Sequence, residues 1–433
     1  MRVLTFYIDP VAYRDRLLML RAAAPRVGQI EVLLGQGDAA TVAELATPHL
    51  AVTPLASTEL GRVRREAALW RAVGDRVAQG VELVHDTQGQ MGAAFARLRL
   101  MRGRPRLLTS TFAAAYEWYE DLRKAYPYES LAYSRLRWRA FWQEKVSCKV
   151  ADAVTVFGEG HRERLARCHG IPVGRVHSLP NCCDPAIFFP RTAGPELFGF
   201  EPGTRVLLTV GNLFAYKGTW ELLRAFAAVA RKHDDARLVL VGRPHDEQAE
   251  ALKKEPEVLG VAERVRFIGR APREELPAML SAADAFVLPS YTEGSPRVVI
   301  EAMACARPVV ATRLPGVETL DPEGEFIRLV PRADTAELAR ALSAHLESSA
   351  AERARRGAAA RARFLAHHTP EAAAVPLPRA VPHARPCSRC AVALHGLGGD
   401  RVLGDPIRRA HRAQTRRLAQ QALQHGRESG RDS

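Results

Sequence analysis

Short apolar runs alternate with helix-period stretches along most of the chain. Val3–Ile8 is apolar, Tyr13–Ala24 has a helical pattern, and Ile30–Leu34 is apolar again. The runs 81-VELVH-85, 106-RLLTST-111 and 153-AVTVF-157 continue the series, and the aromatic, Arg-rich stretch 116–150 reads as one or two helices. Apolar runs this short, separated by helices, predict a parallel sheet with crossover connections.

Prolines at 185, 190, 195 and 202 then interrupt the pattern and read as an interdomain linker. A cleaner alternation follows. Strands are predicted at 205-RVLLTVG-211, 237-RLVLVG-242, 264-RVRFIG-269, 285-AFVLP-289 and 308-PVVAT-312. Helices are predicted at 219–233, 247–259, 273–283, 296–305, 335–347 and 351–366. This is the pattern of an α/β, doubly wound domain. The expected organisation is a first Rossmann-like domain over 1–184, a linker over 185–202, a second Rossmann-like domain over 203–374 and a basic, Pro/Arg-rich tail over 375–433. The tail's composition predicts disorder, with one helix near 407–424.

Charge changes this picture modestly. The net charge of +14 points to an anionic partner. From Pro376 onward, however, 11 Arg stand against 4 Asp plus Glu, so the tail carries half of that excess. Seven cysteines show no framework spacing, MRVLTFYI reads as a buried strand rather than a signal peptide, and no apolar run has the length of a membrane span. The expectation is a cytoplasmic protein with reduced thiols.

The stretch 293-EGSPRVVIE-301 carries the chemistry. Pro296 suits a first helical position and Ser295 an N-cap, predicting a helix fed by the strand at 285–288. Glu293 then lies in the loop at the strand's carboxyl end, and Glu301 about a turn and a half inside the helix. Between them the Gly294–Arg297 amides and the helix start form an anion site. A diphosphate there, with carboxylates taking hydroxyls on either side, has the layout of a nucleotide sugar. The competing reading is a capped helix with two exposed glutamates. A second strand-to-helix turn, 211-GNLFAYKG-218, lowers the weight of that competitor. Gly211 permits a tight turn, and Lys217 offers a point charge near the next helix start. In a parallel sheet both loops lie at one edge.

With these motifs in place, the stretch from Val206 to Thr319 resembles the nucleotide-binding domain of the large retaining glycosyltransferase family with the GT-B fold. The resemblance is carried by VGNLFAYKG, by the E-x7-E spacing within VRFIGRAPREELPAMLSAADAFVLPSYTEGSPRVVIEAMACARPVVAT, and by LPGVET. It extends through 152-DAVTVFGEGHRERL-165 and 179-LPNCCDPAIFFP-190 to cover about residues 80 to 374. It implies two Rossmann-like domains facing across a cleft. Glu293 would hold donor-sugar hydroxyls, Glu301 the ribose, and Lys217 the departing diphosphate, with Gly211, Asn212, Gly294, Ser295, Pro296 and Arg297 around the donor. The loop after Phe267 and Ile268 would meet the base. The implied reaction retains anomeric configuration, needs no metal or other cofactor, and uses a UDP- or GDP-linked sugar with a glycan, lipid-linked or small-molecule acceptor.

Several positions depart from the family pattern. Asn212 stands where an Arg is common, leaving Arg297 or Arg243 to supply charge. The first loop, 8-IDPVAY-13, has no glycine. Thr111 stands where a His is common, with His85 the nearest substitute on the acceptor side. Cys182 and Cys183 replace Gly-Val, and Ala306 replaces a glycine. Arg mixed with Leu, Met and Trp in 97–106 and 135–142 reads either as contact with an anionic membrane at the inner face of the plasma membrane or as snorkelling on a half-buried helix. Cys387, Cys390, His383 and His395 lack the second spaced pair of a zinc site. Nucleic-acid binding rests on net charge alone. Two rival readings stand beside the transferase: a degenerate sugar-nucleotide binder, and a basic membrane or nucleic-acid adaptor.

Overall fold

The computed structural model describes residues 1–7, 10–34, 44–54, 62–87, 98, 104–111, 131–244 and 249–374. The tail beyond 374, with its cysteine–histidine cluster, and most of 97–106 lie outside these residues.

In chain order the first part forms β1 (Arg2–Tyr7), α1 (Pro10–Val27), β2 (Gln29–Leu34), β3 (Leu50–Pro54), α2 (Arg62–Ala78), β4 (Leu83–Asp86), β5 (Arg106–Thr111), α3 (Leu131–Val150), β6 (Ala153–Phe157), α4 (Arg162–His169) and β7 (Val176–Leu179). The strands pair in parallel in the order β3-β2-β1-β4-β5-β6-β7. The second part forms β8 (Arg205–Val210), α5 (Thr219–Ala230), β9 (Ala236–Val241), α6 (Ala249–Val258), β10 (Val265–Ile268), α7 (Leu276–Ala282), β11 (Ala285–Leu288), α8 (Arg297–Ala304), β12 (Val309–Thr312), α9 (Pro315–Glu318), β13 (Ile327–Val330), α10 (Thr335–Glu347), α11 (Ala350–His367) and α12 (Pro370–Ala373). Its sheet is again parallel, in the order β10-β9-β8-β11-β12-β13. The predicted class, two doubly wound α/β sheets, is the observed one.

Each sheet is covered on both faces, which is why strands such as β6 and β11 are buried along their whole length. Val206, Leu208, Val239, Phe286 and Leu288 pack on one side of the second sheet with Val299, Ile300 and Met303. Leu207, Leu238, Leu240 and Val287 pack on the other with Leu222, Phe226 and Leu342. The strand order of this sheet reverses between β8 and β11. The loops after those two strands therefore flank the crevice where doubly wound sheets bind ligands.

The structure differs from the sequence reading in identifiable ways. β3, β7 and β13 carry polar residues within four- or five-residue runs, too little apolar pattern to stand out. Pro10–Tyr13, read as part of a loop, begins α1, with proline at a position where its missing N–H is harmless. The proline-rich stretch after Asp184 is packed: Phe188, Phe198 and Phe200 are buried in the second sheet's core. The chain also returns to the first sheet, where Ala373 and Ala374 are buried with Leu17, Leu20 and Ala24.

Ala306 stands in the left-handed region, φ 56°. The Ala306 amide donates to Met303 O at 3.0 Å and the Arg307 amide to Ala302 O at 2.9 Å. This is the pairing that closes a helix through a left-handed residue, usually glycine. Ala306→Gly should therefore raise unfolding stability by about 1 kcal/mol, read as a higher urea midpoint at unchanged slope.

Candidate functional site

The two crevice loops lock together. β8 and β11 pair directly, so the turns that follow them are neighbours. The Tyr291 amide donates to Tyr216 O at 2.9 Å, and the Tyr291 hydroxyl to Glu221 at 2.7 Å. Gly218 holds φ 69°, and a Cβ there would stand 2.1 Å from the Pro289 carbonyl oxygen. Only glycine satisfies both the backbone and the space.

Across this contact Lys217 Nζ donates to Glu293 Oε1 at 2.6 Å, and Ser290 Oγ donates to the same oxygen at 2.7 Å. Glu293 is 11% exposed and Lys217 27%. The two loops that sequence reasoning set side by side thus meet through the two residues given the leading roles.

The helix start is displaced by one residue from the reading. Pro296, with extended backbone, is the N-cap, and α8 begins at Arg297 with no side-chain cap. Ser295 is not the cap, because its carbonyl is turned to the first sheet instead, accepting from Asn181 Nδ2 at 3.0 Å. Gly294 O likewise accepts from His161 Nε2 at 2.5 Å. A trans peptide points its N–H opposite its C=O, so the Ser295 amide faces away from His161.

Glu301 is only 5% exposed, which removes the reading of α8 as a helix with two exposed glutamates. Burial pushes its carboxyl pKa above the ordinary value, opposed by Arg297 and Arg273. Arg297 lies 3.8 Å from Glu301 and 3.2 Å from Asp15 of α1; Arg273 lies 2.6 Å from Asp15. The Asp184 amide also donates to Asp15, at 3.1 Å. Arg297, one candidate to replace the missing Arg at 212, is therefore committed to a carboxylate from the other sheet. Arg243, the other candidate, is exposed beside exposed Asn212 and carries no ion pair among the described residues; its carbonyl accepts from the Leu213 amide at 2.9 Å. Phe267 and Ile268 end β10 half-buried, with Ile268 O accepting from the Gly242 amide at 2.8 Å. Gly211 has φ 150°, the glycine-favouring backbone expected of it.

The two acceptor-side candidates are turned inward. Thr111 donates to Glu144 of α3, which also pairs with His169 at 2.9 Å. The hydroxyl is bound inside the first domain and does not stand in for a histidine. His85 is 6% exposed, between Ser110 Oγ at 2.7 Å and Thr5 Oγ1 at 3.2 Å. It lines a small cavity with Arg16, Thr87 and Phe157, and burial with the Arg16 charge pushes its pKa down to about 3.

His345 and His368 are likewise pushed down to about 4 by burial. Each stays neutral in the folded chain while its unfolded counterpart protonates below about pH 6.5. Their contribution is complete above that pH and is lost as pH falls toward their folded values. Unfolding free energy should drop by about 1.4 kcal/mol per pH unit per histidine across that window. Urea titrations at stepped pH check this, and His85→Asn should flatten the slope.

Sequence reasoning missed Asp15, His161, Asn181 and Arg273. The signal for Asp15 was a lone carboxylate within the apolar periodicity of α1. The other three had none.

Residues 204–348 match the model of the family described as glycosyl transferases group 1. D-inositol 3-phosphate glycosyltransferase of Mycolicibacterium smegmatis is 30% identical over 249 residues, 55% of this chain and 56% of that protein. Alpha-maltose-1-phosphate synthase of the same organism is 30% identical over 265 residues, 58% of this chain and 65% of that protein. The chain spans about half the length of the first curated relatives it matches. Among solved structures, sucrose-phosphate synthase from Thermosynechococcus elongatus superposes with TM-score 0.68 at 21% identity, covering 88% of this chain and 98% of that one. HepE of Anabaena, in complex with UDP and glucose, superposes with TM-score 0.67 at 19% identity, with the same coverages.

Proposed function

We propose, for a chain whose residues 204–348 match the model of the group 1 glycosyl transferases, an enzyme that moves a sugar from a nucleoside-diphosphate sugar to an acceptor with retention of anomeric configuration. The observation that carries this reading is the Lys217–Glu293 pair at the strand-order reversal, beside a helix start without a side-chain cap.

The diphosphate sits at the start of α8, where helix dipole and backbone amides favour an anion. Lys217 neutralises the charge that grows on it as the bond from sugar C1 to phosphate oxygen breaks. Glu293 holds sugar hydroxyls and Glu301 the ribose. The acceptor hydroxyl attacks C1 from the face the leaving group vacates, and its proton passes to the leaving phosphate oxygen. Fixed positive charge is assigned the work a metal does elsewhere, so the reaction proceeds without one. Arg243, exposed at the crevice edge, is the available second cation.

The acceptor is assigned to cell-surface glycan assembly in the cytoplasm, at the inner face of the plasma membrane. Support for membrane contact comes from α3, where Trp142 is 52% exposed with the Lys145 ammonium 5.1 Å from its ring centroid. Among the described residues, no helix is long and apolar enough to cross a membrane.

Titration of the two glutamate variants tests the assignment. Glu301→Ala should weaken both free nucleotide and nucleotide sugar, whereas Glu293→Ala should spare the nucleotide and damage sugar transfer. A lost hydrogen bond to a charged group is worth about 1.5–3 kcal/mol, well within reach of calorimetry. The ionised Glu301 carboxylate is the form that accepts ribose hydroxyls, and burial raises its pKa. Nucleotide affinity should therefore fall as pH drops through that raised value, and Glu301→Gln should lose this component of the profile. Identical behaviour of the two alanine variants sinks the division of labour.

A further inference from the structure

The donor loop is gripped from the other domain. His161 follows β6 and Asn181 follows β7, both at the carboxyl edge of the first sheet, and both are almost fully buried. His161 Nε2 holds Gly294 O at 2.5 Å and Asn181 Nδ2 holds Ser295 O at 3.0 Å. These are the carbonyls of two successive peptides in the proposed phosphate-binding turn. Asn181 is itself anchored, its own carbonyl lying 2.9 Å from His368 Nδ1. The rest of the contact is shaped to admit the Gly294 carbonyl. A Cβ on Gly316 would stand 1.8 Å from that oxygen and 3.0 Å from His161 Nε2, and a Cβ on Gly160 would stand 2.6 Å from Pro315 O. Neither glycine has room for a side chain.

We propose that His161 and Asn181 are positioning residues for donor binding. Fixing where the Gly294 carbonyl points fixes where the Ser295 N–H points, because the peptide they share is planar. The Ser295 carbonyl lies in the peptide to Pro296, which has no N–H, and holding it fixes the backbone that leads into α8. The donor turn is thus completed by the first domain, and its order depends on the two sheets being engaged. The donor role rests on the transferase reading; the grip itself does not.

Two readouts on the full chain separate them. Hydrogen exchange of the ligand-free protein reads the grip. Amides in 290–299 should exchange faster in His161→Ala and Asn181→Ala, with His161→Gln, whose amide can still donate, closer to wild type. Calorimetry with UDP and GDP reads the donor role. The nucleotide that binds the wild type should bind each alanine variant about five- to tenfold more weakly, the scale of one lost hydrogen bond. With the matching nucleotide sugar, KM should rise more than kcat falls, and His161→Gln should recover part of the loss. A purely structural role would lower the melting temperature and leave the KM-to-kcat split unchanged. Asn181→Asp, which aims a carboxylate at a carbonyl, should be worse than Asn181→Ala.

If His161→Ala does not fold, Gly316→Ala takes its place, since it displaces the same carbonyl and should give the same two signatures. Wild-type exchange in 290–299 together with wild-type affinity in these variants overturns the proposal. If exchange rises as expected but the wild-type protein binds neither UDP nor GDP, the grip is supported and the donor role of the loop, with the transferase reading, is overturned.

Discussion

Lys217→Ala is expected to lower sugar-transfer turnover by about a hundredfold or more, the scale seen when a preorganised stabilising group is removed from a developing negative charge. The departing nucleoside diphosphate is the largest electrostatic event in the proposed reaction. Asn212, across the same turn, brings no charge. Arg297 cannot readily take over, because it faces Asp15 at 3.2 Å and Glu301 at 3.8 Å. The free protein holds the Lys217 ammonium against Glu293 at 2.6 Å, so the cation is placed before the donor arrives. Losing it also leaves Glu293, 11% exposed, with Ser290 as its remaining donor in this contact, and sugar binding should suffer as well. Lys217→Arg should rescue only partly, since a planar fork does not replace a compact ammonium. Single-turnover transfer at saturating donor checks both variants. Near-full turnover in Lys217→Ala would assign the leaving group to Arg243 or remove the diphosphate from this crevice.

Asp15→Ala is expected to lower unfolding stability by about 3 kcal/mol, the low end for breaking a buried ion pair. The Asp15 side chain is 4% exposed and accepts from Arg273, Arg297 and the Asp184 amide. Its loss leaves three donors without this acceptor. Arg297 is 37% exposed and can turn to water, which keeps the effect at the low end. Asp15→Asn should fall between, because its amide oxygen still accepts. Urea unfolding with unchanged slope is the check. A midpoint within error of wild type would mean that the cross-domain cluster contributes nothing to stability.

Most of the second sheet was legible because its strands other than β13, and the helices between them, each satisfy one period without conflict. β11 is apolar throughout, β8 and β9 interrupt their apolar runs only at Arg205, Thr209 and Arg237, and α5 and α10 each bury one face. The E-x7-E spacing was legible for a related reason: a strand end, a turn and a helix start fix where both carboxylates fall. The one-residue error at α8 arose because Pro296, at φ −72°, fits either the cap or the first helical turn. The alanine noted in place of a glycine at 306 proved to stand where a left-handed backbone closes α8.

What stayed hidden lies between the two sheets. Asp15 reaches Arg297 across 282 positions, and His161 reaches Gly294 across 133. No local period encodes such pairs. A polar residue at a strand end looks the same in sequence whether it faces water or another domain. His85 and Thr111 show the converse. Strand-end polar residues that looked available are bound within the first domain, to Thr5 and Ser110 in one case and to Glu144 of α3 in the other.

Retaining sugar transfer is measured by incubating the purified wild-type protein with a panel of UDP- and GDP-sugars and reading nucleoside diphosphate release, with the anomeric configuration of the product followed by proton NMR. At least one donor should be consumed, by hydrolysis or transfer, with the first product keeping the donor's configuration. A donor that binds but is never consumed would reduce the protein to a sugar-nucleotide binder, and a product of inverted configuration would contradict the proposed mechanism outright.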